Sequence, residues 1–367
     1  MKRVGLIVNP VAGMGGSVGL KGTDGGLYKK ALALGAEPVT PSRTEQFLSY
    51  IEHKDEIALF AAPGKMGADH VADFDIPFRP VGQIGDETSA EDTKRIAAEM
   101  VSRGAELLIF VGGDGTARDV YDAVDSEVPV VAVPAGVKVY SSVFAVNPRA
   151  AAKMVDAFVE DGGVTSQEVL DIDEDAFRED RLDSKHYGTL LVPEERRFLQ
   201  HGKVASSHSP SVEESKKEIA AFVVQEMDPE ALYLLGPGTT LKAITDEMGL
   251  PKTLLGVDGV TDQEQVGEDL SEQKILDLLE RYPERAIIVT PLGGNGFVFG
   301  RGNKQFTPQV IRQVGPENVR VIATRQKLES LDCLRVDTGD LEVDEVLCGW
   351  ITVTVGYREN RMMEVRC

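Results

Sequence analysis

At 367 residues the chain is longer than one hydrophobic core usually spans, so two domains are expected. Its formal net charge of −21 and 6% aromatic content exclude a nucleic-acid or anionic-membrane binder as the main role: phosphate backbones are repelled, and few rings are present to stack on bases. With 42% hydrophobic residues and no apolar run near the roughly 18–20 residues of a membrane span, the composition is that of a soluble, cytoplasmic protein.

The first segment, RVGLIV (3–8), is a buried strand that stops at Asn9-Pro10; no cleavage-site pattern follows it, so it reads as a strand and not a leader. The glycine-rich VAGMGGSVGLKGTDGG (11–26) comes next, then a helix from Leu27 and a short strand Ala58–Ala61 that ends at Pro63-Gly64. Thr88 and Glu91 have capping-box spacing for a helix over 89–103. A strand over 106–111 delivers the chain to Gly112, PVVAVPAG closes at Gly136, and Asn147-Pro148 opens a helix over 148–160. Strands separated by such helices predict an α/β fold whose N-terminal, Rossmann-like domain (1–160) has a parallel sheet covered on both faces. Its ligands belong at the carboxyl ends of the strands, where NPVAGMGG, PGKMGAD, GGDGT and PAGVK all fall.

The remainder (161–367) is expected to be a β-rich domain, made of 165–205 and an all-β stretch 331–367, interrupted by an α/β insertion over about 211–325. In the insertion, helices at 213–225, 241–248 and 272–281 alternate with ALYLLGPGTT, TLLGVD and AIIVTPLGGNGFVFG. Cys333, Cys348 and Cys367 are too few and too widely spaced for a disulfide framework or zinc cluster and read as buried or incidental thiols. His201 and His208 lie in a serine-rich loop without ligand partners at metal-site spacing.

GGDGT carries the sharpest chemistry. Gly112, Gly113 and Gly115 let main-chain N–H groups approach a phosphate, and Thr116 stands where a helix begins. A carboxylate in an anion site needs a task, and Asp114 has two candidates: holding a magnesium ion, or taking the proton of an attacking hydroxyl. Asn9, Gly13, Gly15 and Gly16 form a second glycine loop, with Lys21, Thr23 and Asp24 just beyond it and Lys138 after PAG as a further cation for phosphate. In the second half, Gly236, Gly238, Thr239 and Thr240 repeat the strand–glycine–helix pattern. Gly293, Gly294 and Asn295 make another glycine turn, with Arg301 and Asn303 as a cation and an amide for ligand recognition. Asp258, read as the end of a strand in LLGVDG, either faces the same rim or is satisfied within its turn.

Together, Asn9-Pro10-x-Ala12-Gly13-x-Gly15-Gly16 and Gly112-Gly113-Asp114-Gly115-Thr116 resemble the NAD kinase, diacylglycerol kinase and phosphofructokinase superfamily. LKGTDG (20–25), VPAGVKVYSSVFA (133–145) and TPLGGNGFVFGRGNKQ (290–305) narrow the resemblance to the ATP–NAD kinase family, in a branch resembling acetoin-catabolism protein X. The resemblance implies phosphoryl transfer from ATP or polyphosphate, with Mg2+ or another divalent cation, to the 2′-hydroxyl of NAD. It also implies Asp114 as general base and a homo-oligomer, for which GWITVTVGY offers an edge strand, while charge and composition predict no nucleic-acid or membrane partner. The chain departs from that pattern in lacking an Asn-Glu or Asn-Asp pair after GGDGT and in its α/β insertion. Those departures leave open a kinase for another hydroxyl (a sugar, polyol or lipid headgroup), and a non-catalytic dinucleotide sensor stands beside both.

Overall fold

The computed structural model describes residues 1–20, 27–136, 139–172, 184–195, 198–199 and 210–367. They fall into two compact units, Met1–Met14 with Lys21–Gly202 and Gly15–Leu20 with Lys203–Cys367. Lys21, Thr23, Asp24, Lys138, His201 and His208 lie outside the described residues.

The first unit is built on a five-stranded sheet of order β3-β2-β1-β4-β5, with β1 Lys2–Val8, β2 Ile57–Ala61, β3 Phe78–Pro80, β4 Leu107–Gly112 and β5 Val130–Pro134. Every pairing is parallel. The central strands are buried on both sides, which is why β1 and β4 read as nearly unbroken apolar runs. From β1 the chain moves outward to β2, and from β4 it moves outward the opposite way to β5. Right-handed crossovers then require the helices after β1 and after β4 to lie on opposite faces. Helix Thr40–Tyr50, not anticipated from sequence, packs with helix Pro148–Val159, and helix Ala90–Ser102 packs with helix Asp114–Val124.

Asn147 caps its helix as expected, accepting from Ala150 N at 2.7 Å. The capping box of the helix at 90 sits one residue later than the sequence suggests, with Ser89 as cap and Asp92 as its reciprocal acid. Both registers have the required spacing, and Asp92 gains an additional bond from Arg95 at 2.7 Å.

Two antiparallel strands, β6 (Val164–Ile172) and β7 (Ser184–Pro193), form a hairpin sheet of their own within this unit. A Cβ at Gly188 would overlap the Tyr121 ring, so glycine here lets the hairpin lie against helix Asp114–Val124. Tyr187 secures the contact by donating to Asp122 Oδ1 at 2.8 Å.

The second unit holds a nine-stranded mixed sheet of order β10-β9-β8-β11-β13-β15-β16-β14-β12. Its strands are β8 Leu232–Leu235, β9 Asp258–Thr261, β10 Glu264–Gly267, β11 Arg285–Val289, β12 Phe297–Phe299, β13 Val319–Ile322, β14 Leu334–Val336, β15 Gly349–Gly356 and β16 Glu359–Arg366. Strands β8, β11, β13 and β15 run parallel as successive neighbours. On one face, Ile219 and Val223 of helix Pro210–Gln225 and Leu241 and Ile244 of helix Thr239–Met248 pack on Leu235, Ile288 and Ile322. On the other, helices Glu272–Leu279, Pro308–Val314 and Leu341–Leu347 pack through Ile275, Ile311 and Val343 on Leu234, Ile287 and Val321.

Several local expectations change here. The stretches 165–205 and 331–367 do not share a sheet: β6 and β7 pair with each other, whereas β14, β15 and β16 extend the sheet that begins with β8. A helix, Leu341–Leu347, interrupts the stretch expected to be all-β, and the hairpin turn falls at Tyr357-Arg358, before Glu359. GWITVTVGY is no edge, because β15 lies between β13 and β16. Cys348 and Cys367 form a disulfide with Cα atoms 6.2 Å apart, and Cys333 is free and buried. Antiparallel register, with Gly349 opposite Val365, brings the flanking cysteines together across a gap that sequence spacing could not interpret.

Asp258 opens β9 instead of closing a strand. It accepts from Thr253 N and Oγ1 and from Asp269 N at 2.9, 2.8 and 2.9 Å, and pairs at 2.8 Å with Lys252, both side chains being fully buried. Removing one partner strands the other charge in a low dielectric. Asp258→Ala is therefore expected to cost about 3–5 kcal/mol by denaturant titration; a loss below about 1 kcal/mol would show that Lys252 is satisfied by the Thr253 and Gly256 carbonyls alone.

Candidate active site

Strands β1 and β4 are neighbours whose following helices leave to opposite faces, so a crevice opens at their carboxyl ends. Asn9 follows β1 and Gly113–Thr116 follow β4, which ends at Gly112, placing the two sequence motifs on either side of it. Asn9 Nδ2 donates to Thr116 Oγ1 at 2.9 Å, and Asn9 Oδ1 accepts from Val11 N at 3.2 Å. Gly13 has φ +82°, and a Cβ there would overlap the Ala135 carbonyl, so the loop after β1 touches the loop after β5 through bare backbone. At Gly112 a Cβ would overlap the Thr116 side chain, and the Gly112 carbonyl accepts from both Ala135 N and Gly136 N at 2.8 and 3.0 Å.

Asp114 begins the helix Asp114–Val124, where the free N–H groups of the first turn favour a negative charge. The residue is buried, 8% exposed. Oδ2 accepts from Tyr140 N at 2.9 Å; Oδ1 accepts from Ser141 N at 2.9 Å and Ser141 Oγ at 2.5 Å. A carboxylate offers about four acceptor positions, so three donors leave about one unused. Burial pushes the Asp114 carboxyl above the ordinary range, opposed chiefly by the Ser141 bonds and more distantly by Arg118. Ser141 Oγ also accepts from Leu170 N at 2.9 Å, and Ser142 Oγ accepts from Glu168 N at 2.8 Å, so β6 fixes the segment that fixes Asp114.

A buried acid of raised basicity, set among glycine turns at a sheet crevice, suits proton removal from a hydroxyl beside a phosphate. Family comparison decides the assignment. Residues 4–164 match the ATP-NAD kinase N-terminal domain and residues 228–365 the ATP-NAD kinase C-terminal domain. The chain belongs to the ATP-NAD kinase family. It is a phosphotransferase with an alcohol acceptor. A search of curated proteins finds no match. Among solved structures, the crystal structure of MurG from Acinetobacter baumannii aligns with 97% of this chain and 77% of its own length, at 12% identity and a TM-score of 0.26.

Within this ATP-NAD kinase chain, Asn9, Gly13, Gly112, Gly113, Asp114, Gly115 and Thr116 gather at one crevice of the first unit. Gly15 and Gly16 belong to the segment Gly15–Leu20, which groups with the second unit, where Ser17 O accepts from Glu272 N at 2.9 Å. Gly236, Gly238, Thr239, Thr240, Gly293, Gly294, Asn295, Arg301 and Asn303 also stand in the second unit. Arg301 is no open cation: it pairs with Asp337 at 2.8 Å and lies over the Phe297 ring at 4.8 Å. Asn303 is buried and donates to Val298 O at 2.8 Å, an internal tie and not an exposed recognition amide. Sequence reasoning missed Tyr140 and Ser141 as partners of Asp114; the paired serines at 141–142, between β5 and the helix Pro148–Val159, were the available sign. Gly112→Ala would force Cβ into Thr116 and is expected to destabilise the unit by about 1–3 kcal/mol in thermal or denaturant unfolding; an unchanged midpoint would mean that the turn can open freely.

Proposed function

We propose that the protein is an NAD kinase, moving the terminal phosphoryl group of ATP, or of polyphosphate, to the 2′-hydroxyl of the adenosine ribose of NAD. The observation that carries this reading is the Asp114 carboxylate: buried, of raised basicity, and with about one acceptor position left after its three protein donors. Phosphoryl transfer asks a protein chiefly for alignment and charge stabilisation. Main-chain N–H groups at Gly113–Thr116 are suited to holding phosphate oxygens, while Asp114 accepts the proton of the attacking hydroxyl. Asn9 and Thr116, bonded to each other, keep the two glycine turns in register.

A divalent cation fits this site as a companion of the phosphates. Among the described residues no group of three or more His, Cys, Asp or Glu could cage an ion, and magnesium commonly takes phosphate oxygens, water and one or two carboxylates. When bound, it would neutralise charge on the transferring group.

Incubation with ATP, magnesium and NAD, read by an NADP-specific enzymatic assay, tests the proposal. NADP should form, and Asp114→Ala should reduce turnover about 10²- to 10⁴-fold while the circular dichroism spectrum is retained. No NADP, with ADP released when other alcohols are supplied, would move the acceptor to a sugar or polyol; full activity in a folded Asp114→Ala variant would remove the base.

The pH profile adds a second check. The base must be ionised, so activity falls as pH drops through the Asp114 pKa, which burial places above the ordinary carboxylate range. Ser141→Ala removes hydrogen bonding that favours the ionised form and should shift the acid limb to higher pH. A shift to lower pH, or none, would assign the limb to another group.

A further inference from the structure

The second unit repeats, with different side chains, the arrangement that makes the first a phosphate site. Strands β8 and β11 are parallel neighbours. The chain leaving β8 enters helix Thr239–Met248 on one face of the sheet, and the helix that follows β11, Pro308–Val314, lies on the other. A crevice therefore opens at the carboxyl ends of β8 and β11. Gly236-Pro237-Gly238 lines one side and Thr290, the first residue after β11, the other.

Three observations say what this crevice accepts. The ten-residue helix at 239 has no side-chain cap and no acid in its first turn. Its first internal bond of this kind runs from Lys242 N to Gly238 O, leaving the N–H groups of Thr239, Thr240 and Leu241 without helical partners. Gly238, at φ +118°, lies against Thr290: a Cβ there would stand 3.1 Å from Thr290 Cγ2. Thr290 is 3% exposed, yet its hydroxyl has no hydrogen-bond partner among the described residues, an unusual state for a buried polar group and one that an incoming acceptor would relieve. The nearest strand-start carboxylate, Asp258 opposite Leu235, is consumed by Lys252, Thr253 and Asp269 and offers no free charge to repel an anion. Along the same rim, Lys327 follows β13, its amine pushed down to about 8 by burial and the neighbouring Lys216 charge.

We infer that the β8–β11 crevice of the second unit is a separate phosphate-monoester site, in which the first-turn N–H groups of helix Thr239–Met248 and the Thr290 hydroxyl hold the phosphate oxygens. It stands whether or not the first unit phosphorylates NAD.

The test uses the full chain, titrated with inorganic phosphate and with adenosine monophosphate against sodium chloride of matched ionic strength, read by thermal unfolding and calorimetry. Both phosphates should raise the unfolding midpoint by linkage, and chloride should not. Thr290→Val should weaken phosphate binding about tenfold, the loss of one hydrogen bond to a charged group. Its ligand-free midpoint should equal or exceed that of the parent, because an unpartnered hydroxyl is replaced by a methyl of similar size. Thr290→Ser should stay within about threefold of the parent, having kept the hydroxyl. Equal phosphate binding by the parent and Thr290→Val, or a lower ligand-free midpoint in that variant, would overturn the site. Asp114→Ala separates the two proposals: it should lose turnover while the Thr290-dependent phosphate response persists.

Discussion

The first unit depends on keeping one carboxylate buried. Asp114 sits at the start of a helix with little access to water, and three donors from Tyr140 and Ser141 offset the cost of burying its charge. The same bonds engage two backbone N–H groups of the segment after β5. Ser141 Oγ then accepts from Leu170 N, so the turn after β4, the segment after β5 and strand β6 are joined through a single side chain. Burial raises the basicity of the acid, while the bonds limit that rise and hold its position. The contacts that place the proposed base are also contacts of the protein core.

Two sheets in one chain reach comparable crevices by the same route. In each, neighbouring parallel strands send their following helices to opposite faces, and glycines occupy the turns where a side chain would collide with a backbone or a neighbour. What differs is the polar group delivered. The β1–β4 crevice receives a carboxylate with an acceptor position to spare, suited to taking a proton. The site inferred at β8–β11 would use a hydroxyl and first-turn N–H groups, suited to holding oxygens and to no proton transfer at neutral pH.

Local signals carried much of this into the sequence. Strands β1 and β4 were legible as apolar runs closed by glycine or Asn-Pro, and GGDGT was legible because it joins such a strand to a helical pattern. Features set by pairing between distant segments were not. Helix Thr40–Tyr50 has a mostly polar sequence, TPSRTEQFLSY, whose buried Phe47 and Leu48 acquire meaning only against the sheet. β15 became an interior strand because β13 and β16 flank it, and Cys348 met Cys367 because of hairpin register. Arg301 and Asn303 looked like ligand-binding groups for the same reason: glycine-rich neighbours suggest a site, but Asp337, Phe297 and the Val298 carbonyl that engage them come from packing.

A net charge of −21 opposes the approach of anionic ligands over long distances. That field is screened within about 8–10 Å at physiological salt. Inside a crevice the balance is set by groups in contact: main-chain N–H dipoles, hydroxyls, and acids already committed to partners. Asp258 is neutralised by Lys252, whereas the Asp114 carboxylate keeps its charge and is held by the Tyr140 and Ser141 donors. An acidic surface can thus coexist with phosphate chemistry, because global charge governs approach while hydrogen-bond geometry governs what is held.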